Sequence, residues 1–299
     1  MGGVIALGEC MVELSLTGAR AAAIGFAGDT FNTAVYLSRL GRPVSYATAL
    51  GAEDPFSAGI LDLMTEEAIA RDLVVKAEGR VPGLYAIERD EAGERRFFYW
   101  RDQAPVRQFF DLADLGALQA AFRQAELIYL SGITLAVIGE AGRAALMALL
   151  ADARAHGAAV AFDPNYRPRL WGPDAARAAI EAIAPICRFL SVSGPDLETL
   201  YAEPVHEIAA RWAAQGPEVV ARDEDQTVHL LGAGEPARLA PEPSVKAVDT
   251  TGAGDSFNAG YLAARLDGRS AVDAVAQGRR LARVVVQHMG AIIPKAAMP

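Results

Sequence analysis

Residues 249–260, Asp249-Thr-Thr-Gly-Ala-Gly-Asp-Ser-Phe-Asn-Ala-Gly260, decide how this chain is read. Gly252, Ala253 and Gly254 carry no bulky side chain, and behind them Phe257, Tyr261, Leu262 and Leu266 recur at helical spacing. A helix that opens straight out of such a turn lets three backbone N–H groups converge on one anion, and its dipole adds positive charge there. Asp255, on the first turn, sets a carboxylate beside that anion hole, where it is expected to stay ionised near neutral pH. It can then accept a proton from a substrate hydroxyl while the amides hold a phosphoryl group in transfer. The pattern points to a small-molecule kinase. The competing reading is an Asp N-cap after a flexible glycine turn. The helical pattern behind the turn, and a strand-like approach over residues 245–248, favour chemistry.

Outward from this stretch, short β-type runs alternate with longer helical patterns. Strands are predicted over residues 4–7, 44–49, 127–130, 158–162, 189–192 and 218–221, and helices over 30–40, 140–156, 175–184 and 270–288. The alternation predicts a mostly parallel sheet with helices on both faces, and ligands beyond the carboxyl ends of its strands. Residues 13–26 and 71–101 break the rhythm with β-type segments that no helix separates. Residues 83–88 and 95–101 flank Asp90-Glu-Ala-Gly-Glu94 and read as a hairpin. A small β element of this kind serves as a lid that excludes water, as an ordinary edge hairpin, or as a dimer contact.

Bulk properties narrow the partners. Hydrophobic residues make up 52% and charged residues 22%, which indicates an ordered globular chain. The formal charge is −9 with no Lys/Arg cluster, so nucleic acid and anionic membrane are disfavoured, and an anionic substrate needs arginines placed for it. Glu9 interrupts the short apolar run at the N-terminus, which reads as a first strand rather than a signal peptide. No window offers a membrane span, Cys10 and Cys187 read as buried thiols, and the four histidines lack metal-ligand spacing. These features place the chain in the cytoplasm.

Three clusters are candidates for substrate recognition. Gly28, Asp29 and Asn32 enter a helix, where the two polar side chains either cap it or hold sugar hydroxyls. Tyr85, Tyr99 and Arg101 lie on the two arms of the hairpin. Tyr99 and Arg101, two apart, share a strand face and suit a carboxylate, or form an ordinary surface pair. Asp163, Asn165 and Arg167 alternate after a buried strand, so an extended loop would point them the same way.

Asp249-Thr-Thr-Gly-Ala-Gly-Asp255 resembles the C-terminal motif of ribokinase-like, phosphofructokinase-B-type carbohydrate kinases. The resemblance implies one ribokinase-like domain over 1–299, with lid segments at about 13–26 and 71–103 inserted in it. It implies Asp255 as base and the Gly252, Ala253 and Gly254 amides as anion hole. It further implies ATP and Mg²⁺, with a monovalent cation such as K⁺ as an additional expectation. Asn165, Ser193, Arg222, Gly252 and Gly254 would face the nucleotide and Asp196 the metal. A homo-oligomer would form through the lid.

Within the family the wording is most similar to the branch that phosphorylates 2-keto-3-deoxygluconate. The stretches that carry this are Gly8-Glu-Cys-Met-Val-Glu-Leu-Ser15, Gly28-Asp-Thr-Phe-Asn-Thr-Ala-Val-Tyr36, Pro82-Gly-Leu-Tyr85, Phe98-Tyr-Trp-Arg101 and Asn165-Tyr-Arg-Pro-Arg-Leu-Trp171. By that resemblance Gly28, Asp29, Asn32, Tyr85, Tyr99, Arg101 and Arg167 bind the sugar acid, the arginines and tyrosines at its carboxylate end. A kinase of a neutral ketose such as fructose and a non-catalytic sugar-acid sensor remain open. Two departures bear on the nucleotide. The family's loop usually reads Val-Val-Lys-Arg-Gly, whereas here Val219-Val-Ala-Arg-Asp-Glu-Asp-Gln226 has no glycine and three acids that would repel polyphosphate. Ser193-Gly-Pro-Asp196 stands where the family has Asn-x-x-Glu.

Overall fold

A computed structural model describes residues 2–18, 20–89 and 95–299; residues 90–94, the predicted hairpin turn, lie outside them. The strands are β1 (Val4–Leu7), β2 (Met11–Gly18), β3 (Ala21–Ala27), β4 (Val44–Gly51), β5 (Ile69–Ala70), β6 (Val74–Ala77), β7 (Leu84–Arg89), β8 (Arg95–Trp100), β9 (Leu127–Ser131), β10 (Ala159–Asp163), β11 (Phe189–Ser193), β12 (Glu218–Arg222), β13 (Val228–Leu231) and β14 (Ala237–Leu239). The helices are α1 (Asp29–Arg39), α2 (Pro55–Glu66), α3 (Phe109–Leu112), α4 (Leu115–Gln124), α5 (Gly132–Val137), α6 (Gly139–Ala155), α7 (Pro173–Ile183), α8 (Gly194–Tyr201), α9 (Val205–Ala213), α10 (Ala253–Leu266) and α11 (Ala271–Val285).

The large sheet runs β14-β13-β12-β11-β10-β9-β1-β4-β5, with β6 beside β4. Its pairings from β12 through β1 to β5 and β6 are parallel, while β13 and β14 add an antiparallel edge. The strands read as nearly unbroken apolar runs because both faces are covered. Alternate side chains divide between two cores. Ile5, Leu7, Ile128, Leu130, Val160 and Phe162 pack on one side with helices α4 to α9. Val4, Ala6, Leu127, Tyr129, Ala159 and Ala161 pack on the other with α1, α2, α10 and α11.

A separate four-stranded sheet, β3-β2-β7-β8, stands off the body. The hairpin reading holds in β7 and β8, whose antiparallel register sets Tyr85 opposite Tyr99. Met11, Ala27, Tyr85 and Ile87 on its inner face join the body at Ala291. Its outer face leaves Ile24, Phe98 and Trp100 exposed. Two expectations need correction. Residues 74–77, read as part of the inserted segment, belong to the large sheet as β6, because their backbone pairs with β4. Residues 245–248 form no strand; the Val248 N–H instead bonds to the Val286 carbonyl at 2.7 Å, at the end of α11.

Candidate active site

The large sheet reverses its winding about β1, and open sheets of this kind place ligands there, beyond the carboxyl ends of the parallel strands. Asp163, Ser193 and Arg222 are the last residues of β10, β11 and β12, so strand register alone delivers them to one edge. Helices α1 and α10 complete that edge with their N-termini. Gly28 caps α1, and a Cβ there would fall 2.0 Å from the Glu9 carbonyl, which excludes any side chain.

Helix α10 starts from Gly252 in the left-handed region, φ 77°, and no side chain caps it. The Cβ of any residue other than glycine would also lie 2.7 Å from the Ala291 carbonyl oxygen. The first turn of a helix leaves amides without intrahelical acceptors. The Ala253 N–H is drawn back to the Thr250 carbonyl at 3.3 Å, so convergence of all three small-residue amides is looser than the sequence suggests. Asp255 is not the cap. Its Oδ2 accepts from Asn32 Nδ2 at 2.7 Å, and its carbonyl accepts from Thr33 Oγ1 at 3.2 Å, which ties the starts of α1 and α10 together.

The expectation that Asp255 stays ionised near neutral pH meets an opposing effect. Burial pushes its carboxyl well above the usual range and the Asp29 charge adds to this, while the Asn32 hydrogen bond opposes it. Asp163 follows the same logic. Burial pushes it up to about 6, against the Arg222 charge and the Asn258 hydrogen bond. Carboxyls whose pKa is raised by burial hold a proton more readily than free ones, and such groups cluster at functional sites.

The loop after β10 is not extended. Asn165 lies at φ +32°, and its N–H bonds back to Asp163 Oδ1 at 3.0 Å. The three alternating residues therefore diverge. Asp163 Oδ2 accepts from Asn258 Nδ2 at 2.7 Å, Asn165 Nδ2 donates to Asp29 Oδ2 at 2.8 Å, and Arg167 Nη1 donates to Asp196 Oδ1 at 2.9 Å. The Asp196 charge and hydrogen bond raise the pKa of Arg167 although burial opposes them. Asp196 is thus already occupied by a cation. No group of three His, Cys, Asp or Glu side chains suited to a metal ion occurs among the described residues. A dedicated Mg²⁺ cage is not what these donors make.

The glycine-free loop differs from expectation as well. It is the turn between β12 and β13, and its acids serve the turn itself. Asp223 Oδ2 lies 2.8 Å from His229 Nε2, and Asp225 accepts from the Thr227 N–H at 2.8 Å and its hydroxyl at 3.1 Å. Glu224 is exposed. These hydrogen bonds hold two of the three acids to the loop itself.

Sequence-predicted residues fall into two groups. Asp29, Asn32, Asn165, Arg167, Asp196, Arg222 and Asp255 interlock through the hydrogen bonds and mutual charges just described, with Gly28, Ser193 and Gly252 to Gly254 framing them. Tyr85, Tyr99 and Arg101 form their own cluster. Tyr85 is buried and its hydroxyl donates to Glu13, while the half-exposed Tyr99 ring lies 5.9 Å from it. Arg101 lies just past β8, buried, in an ion pair with the equally buried Glu9. Glu9 Oε1 and Arg101 Nε have no partner. Burial raises the Glu9 pKa despite Arg101.

Sequence reasoning missed Glu9, Thr33, Tyr129, Ser191 and Asn258. Tyr129 Oη lies 3.3 Å from Thr33 Oγ1 and 3.1 Å from Asn258 Nδ2, and Ser191 Oγ donates to Asn258 Oδ1 at 2.5 Å. Two of these had a signal. Asn258 is a polar residue one turn after Asp255 on a helix otherwise apolar behind it, and Glu9 breaks an apolar strand ending.

An uncapped helix start, a carboxyl of raised pKa at its first turn and polar side chains from neighbouring strand ends together make a candidate group-transfer site on an α/β scaffold. The model of the pfkB family carbohydrate kinases matches residues 1–298, and the chain belongs to that family. It is 42% identical to the 2-dehydro-3-deoxygluconokinase of Dickeya dadantii (strain 3937), over 98% of this chain and 97% of that one. It is 40% identical to the protein of the same name from Escherichia coli (strain K12), over 99% and 98%. Among solved structures, the PfkB protein from Polaromonas sp. JS666 superposes with a TM-score of 0.84 at 26% identity, covering 99% of this chain and 98% of that one. No helix among the described residues is long and apolar enough to cross a membrane.

Proposed function

We propose that the protein transfers the γ-phosphoryl group of ATP to the terminal hydroxyl of 2-keto-3-deoxygluconate (2-dehydro-3-deoxygluconate), giving the 6-phosphate and ADP. The observation that carries this reading is Asp255, set by Asn32 at the mouth of an uncapped α10. Full-length relatives at about 40% identity, named for this sugar acid, supply the acceptor. In this reading Asp255 takes the hydroxyl proton as the sugar oxygen bonds to the γ-phosphorus, and the bridging bond to the β-phosphate breaks. The Gly252 to Gly254 turn, with space around Gly254, receives the phosphoryl oxygens. Asp29 and Asn165 hold hydroxyls. Arg101 and Arg167, with Tyr85 and Tyr99, receive the carboxylate. Each arginine is already paired with a carboxylate, so the acid must join or displace Glu9 and Asp196.

Mg²⁺ arrives with the nucleotide in this reading, as suits an ion that keeps its waters and binds phosphates more than protein cages. The β2-β3-β7-β8 sheet acts as a lid over residues from the body, and its exposed Ile24, Phe98 and Trp100 row meets a second copy of the chain. Buried, unpaired Cys10 and Cys187 suit a reducing cytoplasm. The sensor reading loses its motive, because Asp223 and Asp225 are engaged within their own loop.

The test is turnover of purified protein with ATP and Mg²⁺ on the gluconate- and galactonate-derived keto-acids and on fructose, in K⁺ and in a K⁺-free buffer. Product phosphorylation is read by phosphorus NMR. The keto-acid should exceed fructose by at least ~10² in kcat/KM, since fructose has no carboxylate to offer Arg101 and Arg167 and leaves the spare Arg101 Nε donor unmet. Equal use of fructose would replace this reading with the neutral-ketose one. A Trp100→Glu variant that sediments like the native chain would remove the lid interface.

A further inference from the structure

Arg222 is a cation without an anion. Desolvation lowers its pKa, and among the described residues no carboxylate lies within ion-pair distance of its guanidinium. Asp163, Asp196 and Asp255 act on it only through longer-range charge. Its Nε has no partner at all, and Nη2 has one long bond, to Ser191 Oγ at 3.4 Å. The guanidinium is nonetheless fixed in place, lying over the Phe257 ring at 4.4 Å to the centroid. Phe257 is on the first turns of α10, and a Cβ built on Gly254 would meet Arg222 Nη1 at 3.9 Å as its nearest neighbour.

A desolvated, rigid guanidinium with spare donors is costly unless an anion completes it, and here its open side faces the turn where the transferred group would sit. We propose that Arg222 is a further catalytic residue, whose guanidinium bonds to the transferred phosphoryl group rather than to the nucleotide's inner phosphates. Phe257 sets its plane and Ser191 its roll. Asp163, hydrogen-bonded through Asn258 to Ser191, lends the guanidinium longer-range negative charge when no phosphate is present. This rests on the kinase reading but not on the identity of the sugar.

The experiment compares Arg222→Met and Arg222→Lys with the native chain by calorimetric titration of ATP and, separately, of ADP, alongside turnover and melting temperature. The affinity for ATP should fall at least ~10-fold in Arg222→Met while that for ADP stays within about twofold, because only ATP carries the group contacted. Turnover should fall by ~10²–10³, and Arg222→Lys should recover only part of it, since a point charge lacks the planar fork. Equal loss of ATP and ADP, or no loss of either, overturns the proposal and leaves Arg222 as a brace for Phe257. If Arg222→Met does not fold, the ATP-to-ADP ratio in Arg222→Lys decides alone. A native chain that binds ATP but phosphorylates no keto-acid refutes the proposed acceptor, and leaves the ATP-to-ADP comparison intact.

Discussion

The crevice at the start of α10 and the inner face of the small sheet are built by opposite strategies. In the crevice, side chains from three segments far apart in sequence lock one another. Asn32 holds Asp255, Asn165 holds Asp29, and Asn258 holds Asp163. On the small sheet, the rings of Tyr85, Phe97 and Tyr99 lie against one another, and apolar contacts at Ala291 and at Phe26 join the sheet to the body. Neutral amides hold the carboxylates of the first region, and one buried charge pair, Glu9–Arg101, lies beside the second. A rigid crevice suits bond-making, where a small displacement is costly; a sheet tethered at its base suits recognition that must open and close.

If that division is right, the largest loss comes from the crevice. Asp255→Asn keeps the shape and the neighbour but cannot take a proton, so turnover should fall by ~10²–10⁴ with keto-acid affinity nearly unchanged. Steady-state rates with a separate binding titration check both halves. Near-native turnover would mean that the α1–α10 tie is structural only.

On the small sheet the loss should appear in KM. Arg101→Lys keeps the charge but loses the fork, and the KM for the acid should rise roughly 10–100-fold with turnover little changed. Glu9→Gln separates the partners further. Losing the carboxylate leaves Arg101 buried and uncompensated, which costs on the order of 3–5 kcal/mol of stability. The same change frees the guanidinium for the substrate, so the melting temperature should drop while the KM for the acid falls. A KM that rises instead would make Glu9 the group that orients Arg101.

These two regions were unequally legible. The α10 turn, the parallel strands and Asp255 could be read because their signals are local: small residues before an apolar helix, and apolar runs bounded by turns. The Glu9–Arg101 pair joins residues 92 positions apart, and no local pattern marks it. The divergence of Asp163, Asn165 and Arg167 turns on one left-handed backbone at Asn165, which a count of alternating positions misses. The surroundings of Asp255 were hidden for a related reason. Its pKa is set by burial and by Asp29, which the fold brings in from 226 positions away.

That shift has its own test. A base works only when ionised, so a raised pKa moves the acid limb of kcat/KM upward, from the ordinary carboxylate range toward neutrality. Activity should therefore still be rising with pH where a free carboxylate would have levelled off. Asp29→Asn removes the like charge and should move the limb to lower pH, whatever it does to KM. A limb fixed near 4 in both proteins would mean that substrate binding through another group, not Asp255, limits the profile.

The smallest effect is expected at the glycine-free loop, where sequence reading expects a large one. Three clustered acids near a polyphosphate should repel it, and neutralising them should then tighten ATP, most at low salt. In the folded loop Asp223 faces His229 and Asp225 caps Thr227, so two of the three are already engaged, and exposed Glu224 is screened by water. Replacing Asp223, Glu224 and Asp225 by Asn, Gln and Asn should change the KM for ATP by less than about twofold at any ionic strength, within the range of surface charge effects. Thermal stability should fall instead, because Asn at 225 accepts less strongly from the Thr227 amide than a carboxylate does. A marked, salt-dependent gain in ATP affinity would show that the loop reopens when nucleotide binds, and that its acids do restrain the donor side of the crevice.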